Sequence, residues 1–171
     1  MGAQGVPSLE LSLIVPTYRE RENLIPLVER IHRALSNCIY ELIVIDDDSP
    51  DGTAELAESL AGKYPVKVIR RKNERGLATA VVEGTKHAMG SVLGVIDADL
   101  QHPPEVIPEL LQKIWGGADI AIATRYVKGG STEGWSLPRR IVSKAATGLA
   151  HLFLPVTRKV KDPLSGFFLV R

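Results

Sequence analysis

The sequence predicts an α/β fold: a doubly wound, mostly parallel sheet with helices on both faces. Three observations support this. Short runs rich in Val and Ile alternate with segments whose apolar residues recur every three or four positions. That alternation forces parallel strands joined by crossover helices. The polar residues that stand out chemically also follow the strands, on the edge where such sheets bind their ligands.

Taken in order, the first strand is predicted at residues 11–15. Asn23 then caps a helix whose Leu24, Leu27, Val28, Ile31 and Leu35 form one buried face. A second strand at 41–45 leads to a helix capped by Thr53, with Leu56, Ala57 and Leu60 inward and Gly62 at its end. Strand three is Val66–Arg70, helix three spans 76–89 and strand four spans 92–96. Helix four, 104–115, opens on proline and buries Val106, Ile107, Leu110, Leu111 and Ile114. Strand five covers 119–123. A last helix at 138–152 sets Ile141, Val142, Ala145 and Leu149 against Arg139, Arg140 and Lys144. It either packs on the core or lies in a membrane interface with its basic residues toward anionic lipid. Residues 1–8 are expected to fray.

A chain of 171 residues, 44% hydrophobic and 24% charged, fits one globular domain with a sizeable core. Its formal charge of +1 lacks the basic footprint of a dedicated nucleic-acid binder, so no nucleic-acid partner is expected. Cys38 is the single cysteine, which excludes a disulfide framework and reads as a small buried hydrophobe. No window approaches the ~18 to 20 apolar residues of a membrane-spanning helix.

Asp97, Asp99 and Gln101 occupy every second position where strand four ends, and on extended backbone they share one face. Two carboxylates and an amide oxygen suit a hard divalent cation, Mg²⁺ or Mn²⁺, that is completed by substrate phosphates. No Gly-x-Gly-x-x-Gly follows strand one and no P-loop occurs, so a bound diphosphate must be met by metal and basic side chains such as Arg125. Asp46, Asp47 and Asp48 end strand two before the turn residues Ser49-Pro50-Asp51-Gly52. Two of the three acids are expected to face water, and Asp47 is favoured to accept from a ribose hydroxyl or a base N–H. His102 reads as a helix-entry residue rather than a ligand, Trp115 as a core anchor and Trp135 as a loop anchor.

Five segments carry a resemblance: Pro16-Thr17-Tyr18-Arg19-Glu20-Arg21-Glu22-Asn23; Asp46-Asp47-Asp48-Ser49-Pro50-Asp51-Gly52-Thr53; Asp97-Ala98-Asp99-Leu100-Gln101-His102-Pro103-Pro104; Arg125-Tyr126-Val127-Lys128-Gly129-Gly130; and Asp162-Pro163-Leu164-Ser165-Gly166-Phe167-Phe168. Together they resemble the dolichol-phosphate mannosyltransferases, polyprenyl-phosphate users among the inverting GT-A glycosyltransferases. The resemblance implies a GT-A, Rossmann-like sheet and transfer of mannose from GDP-mannose to dolichyl or another polyprenyl phosphate. By motif position it implies that Asp97, Asp99 and Gln101 hold Mg²⁺ or Mn²⁺ on the donor, and that Pro16, Tyr18, Glu20 and Asp47 hold the nucleotide. Arg125 and Arg139 would bind the acceptor phosphate, with Ser143 and Ser165 in the same pocket. Asp99, Arg125 and Arg139 form the implied catalytic set.

The implied organisation is a single catalytic domain over residues 1–171, with an acceptor side at 125–171. Fuller members of that family continue further. The chain is therefore expected to be a catalytic core, or to depend on a separate membrane-anchoring segment or subunit while sitting peripherally at the cytoplasmic face of a membrane. Two rival readings are a transferase using UDP-glucose or another nucleotide sugar, and a metal- or nucleotide-binding scaffold without turnover. An aspartate-nucleophile phosphatase is disfavoured, because Ser49 stands at the nucleophile position of the nearest motif match and that match follows strand two.

Overall fold

The computed structural model describes residues 9–124 and 165–171. The chain divides into two compact units, a larger one running to Ala121 and including Phe167–Arg171, and Ile122–Gly166. Its strands are β1 (Leu11–Thr17), β2 (Tyr40–Asp46), β3 (Val66–Arg70), β4 (Val92–Val95), β5 (Ile120–Ile122) and β6 (Phe168–Val170). Its helices are α1 (Arg21–Ala34), α2 (Thr53–Leu60), α3 (Leu77–His87) and α4 (Ile107–Trp115), the last preceded by a 3₁₀ turn at Pro104–Val106. The six strands among the described residues run in the order β3-β2-β1-β4-β6-β5.

β1 pairs in parallel with β2 and β4, and β2 with β3, as the alternating pattern requires. β6 was not anticipated. It pairs antiparallel with β4, Gly94 opposite Leu169, and so stands in the sheet between β4 and β5. Its three residues are too short to show periodicity, and they follow a loop motif rather than a helix. Gly94 makes the crowding there possible: a Cβ at that position would lie 2.5 Å from Leu169 and 2.8 Å from Leu13.

Residues alternate across the strands. Ile14, Ile43, Ile45 and Val95 pack with Ala80 of α3 on one face. Leu13, Val15, Leu42 and Val44 point to the other and are fully buried or nearly so. Leu24, Leu27, Val28 and Ile31 form the buried stripe of α1, as their spacing predicts, and α4 buries Ile107, Leu110, Leu111 and Ile114. Each such side chain contributes about 1.5–3 kcal/mol by leaving water. Gly84 lets α3 approach β1 closely, since a Cβ there would lie 2.6 Å from Ile14.

Several local expectations are corrected. β1 and β2 each run on to the polar residue that ends them, Thr17 and Asp46. α1 consequently starts at Arg21, so Glu20 is its N-cap, and Asn23 lies inside the first turn, where its amide donates to the Glu20 carboxylate at 2.7 Å. Gly52 rather than Thr53 caps α2; the Thr53 hydroxyl donates to Asp51 at 2.6 Å and accepts the Glu20 N–H. Trp115 is 57% exposed and anchors no core. Cys38 is only half-buried, and burial together with Glu10 pushes its thiol up to about 12. The helix expected at 138–152 and Trp135 lie outside the described residues. Among the described residues no helix is long and apolar enough to cross a membrane.

Candidate functional site

The carboxyl ends of the parallel strands meet along one edge of the sheet, where the backbone is held in unusual conformations. Among the described residues four non-glycine residues have positive φ: Arg19 at +60°, Asp48 at +57°, Asn73 at +66° and Leu100 at +60°. One falls in each loop after β1, β2, β3 and β4. Asp and Asn tolerate this region, but Arg and Leu at positive φ cost about 1 kcal/mol or more each, and such strain concentrates at functional sites.

The same edge holds a cavity of about 360 Å³ lined by Pro16 and Thr17 at the end of β1, Tyr18 and Glu20 after it, Asp47 after β2, Leu77 and Ala80 of α3, and Asp97, Ala98 and Asp99 after β4. Pro16, Tyr18, Glu20, Asp47, Asp97 and Asp99, which the sequence singled out, thus share one cavity. Gln101 does not line it and is exposed. The face-sharing argument fails there for a physical reason: strict alternation holds only on extended backbone, and the chain turns through Ala98–Leu100, with Leu100 left-handed. The Gln101 backbone N–H donates to the Asp99 carboxylate at 3.0 Å, which fixes that side chain.

Asp97 is about one-third exposed, and Nε2 of the buried His102 stands 3.7 Å from its carboxylate. His102 packs edge-on against Phe167, centroids 5.6 Å apart. It therefore does more than begin a helix: it backs the acid of the cavity wall and ties it to the residue before β6.

Of the three consecutive aspartates, only Asp48 is exposed. Asp46 is fully buried because it organises the turn: its carboxylate accepts the Ser49 N–H at 2.9 Å, the Ser49 hydroxyl at 2.6 Å and the Thr17 hydroxyl at 3.0 Å. Asp47 is 7% exposed, and its oxygens accept Arg71 Nε at 2.7 Å and the Gly76 N–H at 2.9 Å. A buried carboxylate needs such partners, and the expectation that two of the three face water is corrected accordingly. Tyr18, 38% exposed, lies under two guanidinium groups, Arg75 at 4.7 Å and Arg19 at 5.4 Å from its ring centre.

Arg71, Arg75, Leu77 and Ala80 carried no role in the sequence reading. Arg71 and Arg75 sit in the basic stretch after β3, but nothing in the sequence says which of its cations turns inward. Ser165 belongs to the second unit, where its hydroxyl donates to the Ala123 carbonyl at 2.7 Å. Arg125, Arg139 and Ser143 lie outside the described residues.

Asp97 and Asp99 suit a divalent cation that keeps several positions for water and phosphate oxygen, since two carboxylates cannot enclose it. Among the described residues no group of three or more His, Cys, Asp or Glu forms a metal cage by itself. The donor set therefore fits an ion shared with an anionic ligand.

The glycosyl transferase family 2 model matches residues 12–171. The chain is 55% identical over 163 residues to a dolichol-phosphate mannosyltransferase of Pyrococcus furiosus, covering 95% of this chain and 46% of that protein. It is 42% identical over 166 residues to a dolichol-phosphate mannosyltransferase of Saccharomyces cerevisiae, covering 94% and 60%. It is 40% identical over 166 residues to a polyprenol monophosphomannose synthase of Mycolicibacterium smegmatis, covering 94% and 61%. The chain thus spans about half the length of the curated relatives it matches. Among solved structures, glucosyl-3-phosphoglycerate synthase from Mycobacterium tuberculosis, in complex with Mn²⁺, UDP-glucose and phosphoglyceric acid, superposes with a TM-score of 0.73 at 20% identity, over 94% of this chain and 56% of that one. A mannosyltransferase from Pyrobaculum calidifontis, in complex with GDP-Man and Mn²⁺, gives 0.58 at 23% identity, over 67% and 35%. The shared architecture is the GT-A fold.

Proposed function

The chain belongs to glycosyl transferase family 2, and from that premise we propose that it transfers mannose from GDP-mannose to dolichyl or another polyprenyl phosphate, with inversion at the sugar. The observation that carries the reading is the meeting of Asp97 and Asp99 with Pro16, Tyr18, Glu20 and Asp47 around one cavity at the carboxyl edge of the sheet. The named relatives supply the substrate class.

In this reading Asp97 and Asp99 hold Mg²⁺ or Mn²⁺, and Gln101 is assigned to the same ion. When bound, the ion neutralises charge on the departing diphosphate. Asp47 and Glu20 accept from the nucleoside, and Pro16 and Tyr18 form the apolar wall of its pocket. Arg125 and Arg139, with Ser143 and Ser165, are assigned to the acceptor phosphate. The guanidinium is suited to that task by its fixed charge and forked donors.

No general base is required. A phosphomonoester has a second pKa of about 6, so at neutral pH its oxygen attacks the anomeric carbon without first losing a proton. The remaining work is alignment of two anionic substrates and screening of their repulsion. We place the protein peripherally at the cytoplasmic face of a membrane, where its lipid acceptor would be reached with the help of a further anchoring segment or subunit.

Two measurements test the proposal. GDP is titrated into the protein with and without Mn²⁺, and GDP-mannose and UDP-glucose are compared as donors with a polyprenyl phosphate. Metal-dependent GDP binding and GDP release are expected. UDP release in preference to GDP would move the assignment to the UDP-glucose users, and metal-independent binding without turnover would favour a scaffold.

A further inference from the structure

Arg71 follows β3 and does not line the cavity described above, yet it is 5% exposed and surrounded by acceptors. Its Nε donates to Asp47 at 2.7 Å, one terminal nitrogen donates to the Thr79 hydroxyl at 2.9 Å, and the other to the Gly76 carbonyl at 3.1 Å. The Gly76 N–H returns to the second oxygen of Asp47 at 2.9 Å. Asp47 is thus held at both oxygens by groups behind the cavity wall. Gly76 makes that return possible with φ at +134°, which side-chain-bearing residues rarely adopt.

Burying a guanidinium and a carboxylate is a poor way to gain stability, because desolvation offsets most of their attraction. What the arrangement does gain is a carboxylate with one fixed orientation. We propose that Arg71 is a positioning residue for the nucleoside of the donor: it aims the remaining lone pairs of Asp47 at a nucleoside N–H or O–H. This inference rests on the nucleotide-sugar reading of the cavity. Lysine cannot replace the residue, since an ammonium lacks the planar fork that reaches Asp47, Thr79 and Gly76 together.

The test uses the protein with Mn²⁺ and two calorimetric probes, GDP and inorganic pyrophosphate, which carries the diphosphate without the nucleoside. For Arg71→Lys, GDP binding should weaken roughly 10- to 100-fold, the range expected for a lost charge-assisted hydrogen bond. Pyrophosphate binding should be unchanged. Added to Asp47→Asn, Arg71→Lys should cause no further loss, because it acts through Asp47 alone. Thr79→Val, at an exposed position, should give a smaller loss of the same GDP-selective kind and carries the test if Arg71→Lys does not fold. GDP binding at the unsubstituted affinity in these variants, or equal weakening of both probes, would overturn the inference. Failure of the unsubstituted protein to bind any nucleoside diphosphate would instead overturn the nucleotide-sugar reading beneath it.

Discussion

Asp99 stands where the chain leaves the sheet, its carboxylate fixed by the Gln101 N–H and turned into the cavity. Because it is partly exposed and outside the core, Asp99→Ala should abolish sugar transfer and metal-dependent GDP binding while leaving the thermal midpoint within a few degrees. Near-normal turnover with Mn²⁺ would contradict the metal assignment. Chemistry of this kind was legible because acids, a proline and a tyrosine follow apolar runs in a fixed order. Orientation was not. Whether Gln101 joins Asp97 and Asp99 depends on the φ of Leu100, which no side-chain pattern announces. That Asp46 is spent on its own turn depends on Thr17 and Ser49 meeting it in space. Away from the cavity, Arg30 grips Glu105 through two hydrogen bonds, and the side-chain bond from Arg30 holds the Glu105 carboxyl below its ordinary value of 4.5. A carboxyl lowered on folding stabilises the native state above the unfolded pKa and loses that contribution as pH falls through the folded one. Glu105→Gln should therefore flatten the stability profile below about pH 4.5 and leave the protein slightly weaker at neutral pH, as acid titration of the unfolding midpoint would show.

Elements owe their existence to periodicity and their contacts to small residues. α1 and α4 were readable from apolar spacing alone, and the strands from runs of Val and Ile. Their ends were less so, since Thr17 and Asp46 extend strands on which the polar residue would ordinarily signal a stop. β6 escaped because three residues after a turn motif carry no period. Close packing of α3 on β1 hangs on Gly84. Gly84→Val should destabilise the fold by about 2 kcal/mol or more through overpacking against Ile14, whereas Gly62→Val, with open space around the position, should stay within roughly 0.5 kcal/mol. Chemical denaturation of the two variants side by side separates a genuine close approach from a general intolerance of valine.

The carboxyl ends of β1, β2 and β4 gather residues from distant parts of the sequence into one rim, and the nature of the proposed acceptor then sets the pH response of the reaction. If the nucleophile is a phosphate dianion, transfer at subsaturating acceptor should rise through about pH 6 and level off. The uncharged polyprenol should give no product at any pH. A rate that climbs instead through pH 7 to 8, or ready glycosylation of the alcohol, would point to an enzymic base and against direct attack. One feature of the sheet also bears on how the protein is made. β6 fills a slot between β4 and β5, with Leu169 and Phe167 fully buried. Until residues 167–170 have left the ribosome, a nascent chain holds two open hydrogen-bonding margins and an uncovered greasy seam, an invitation to wrong partners. Translation order thus makes β6, synthesised after both of its neighbours, the strand that seals the half-built sheet, and a cell producing this protein has reason to shield it until then.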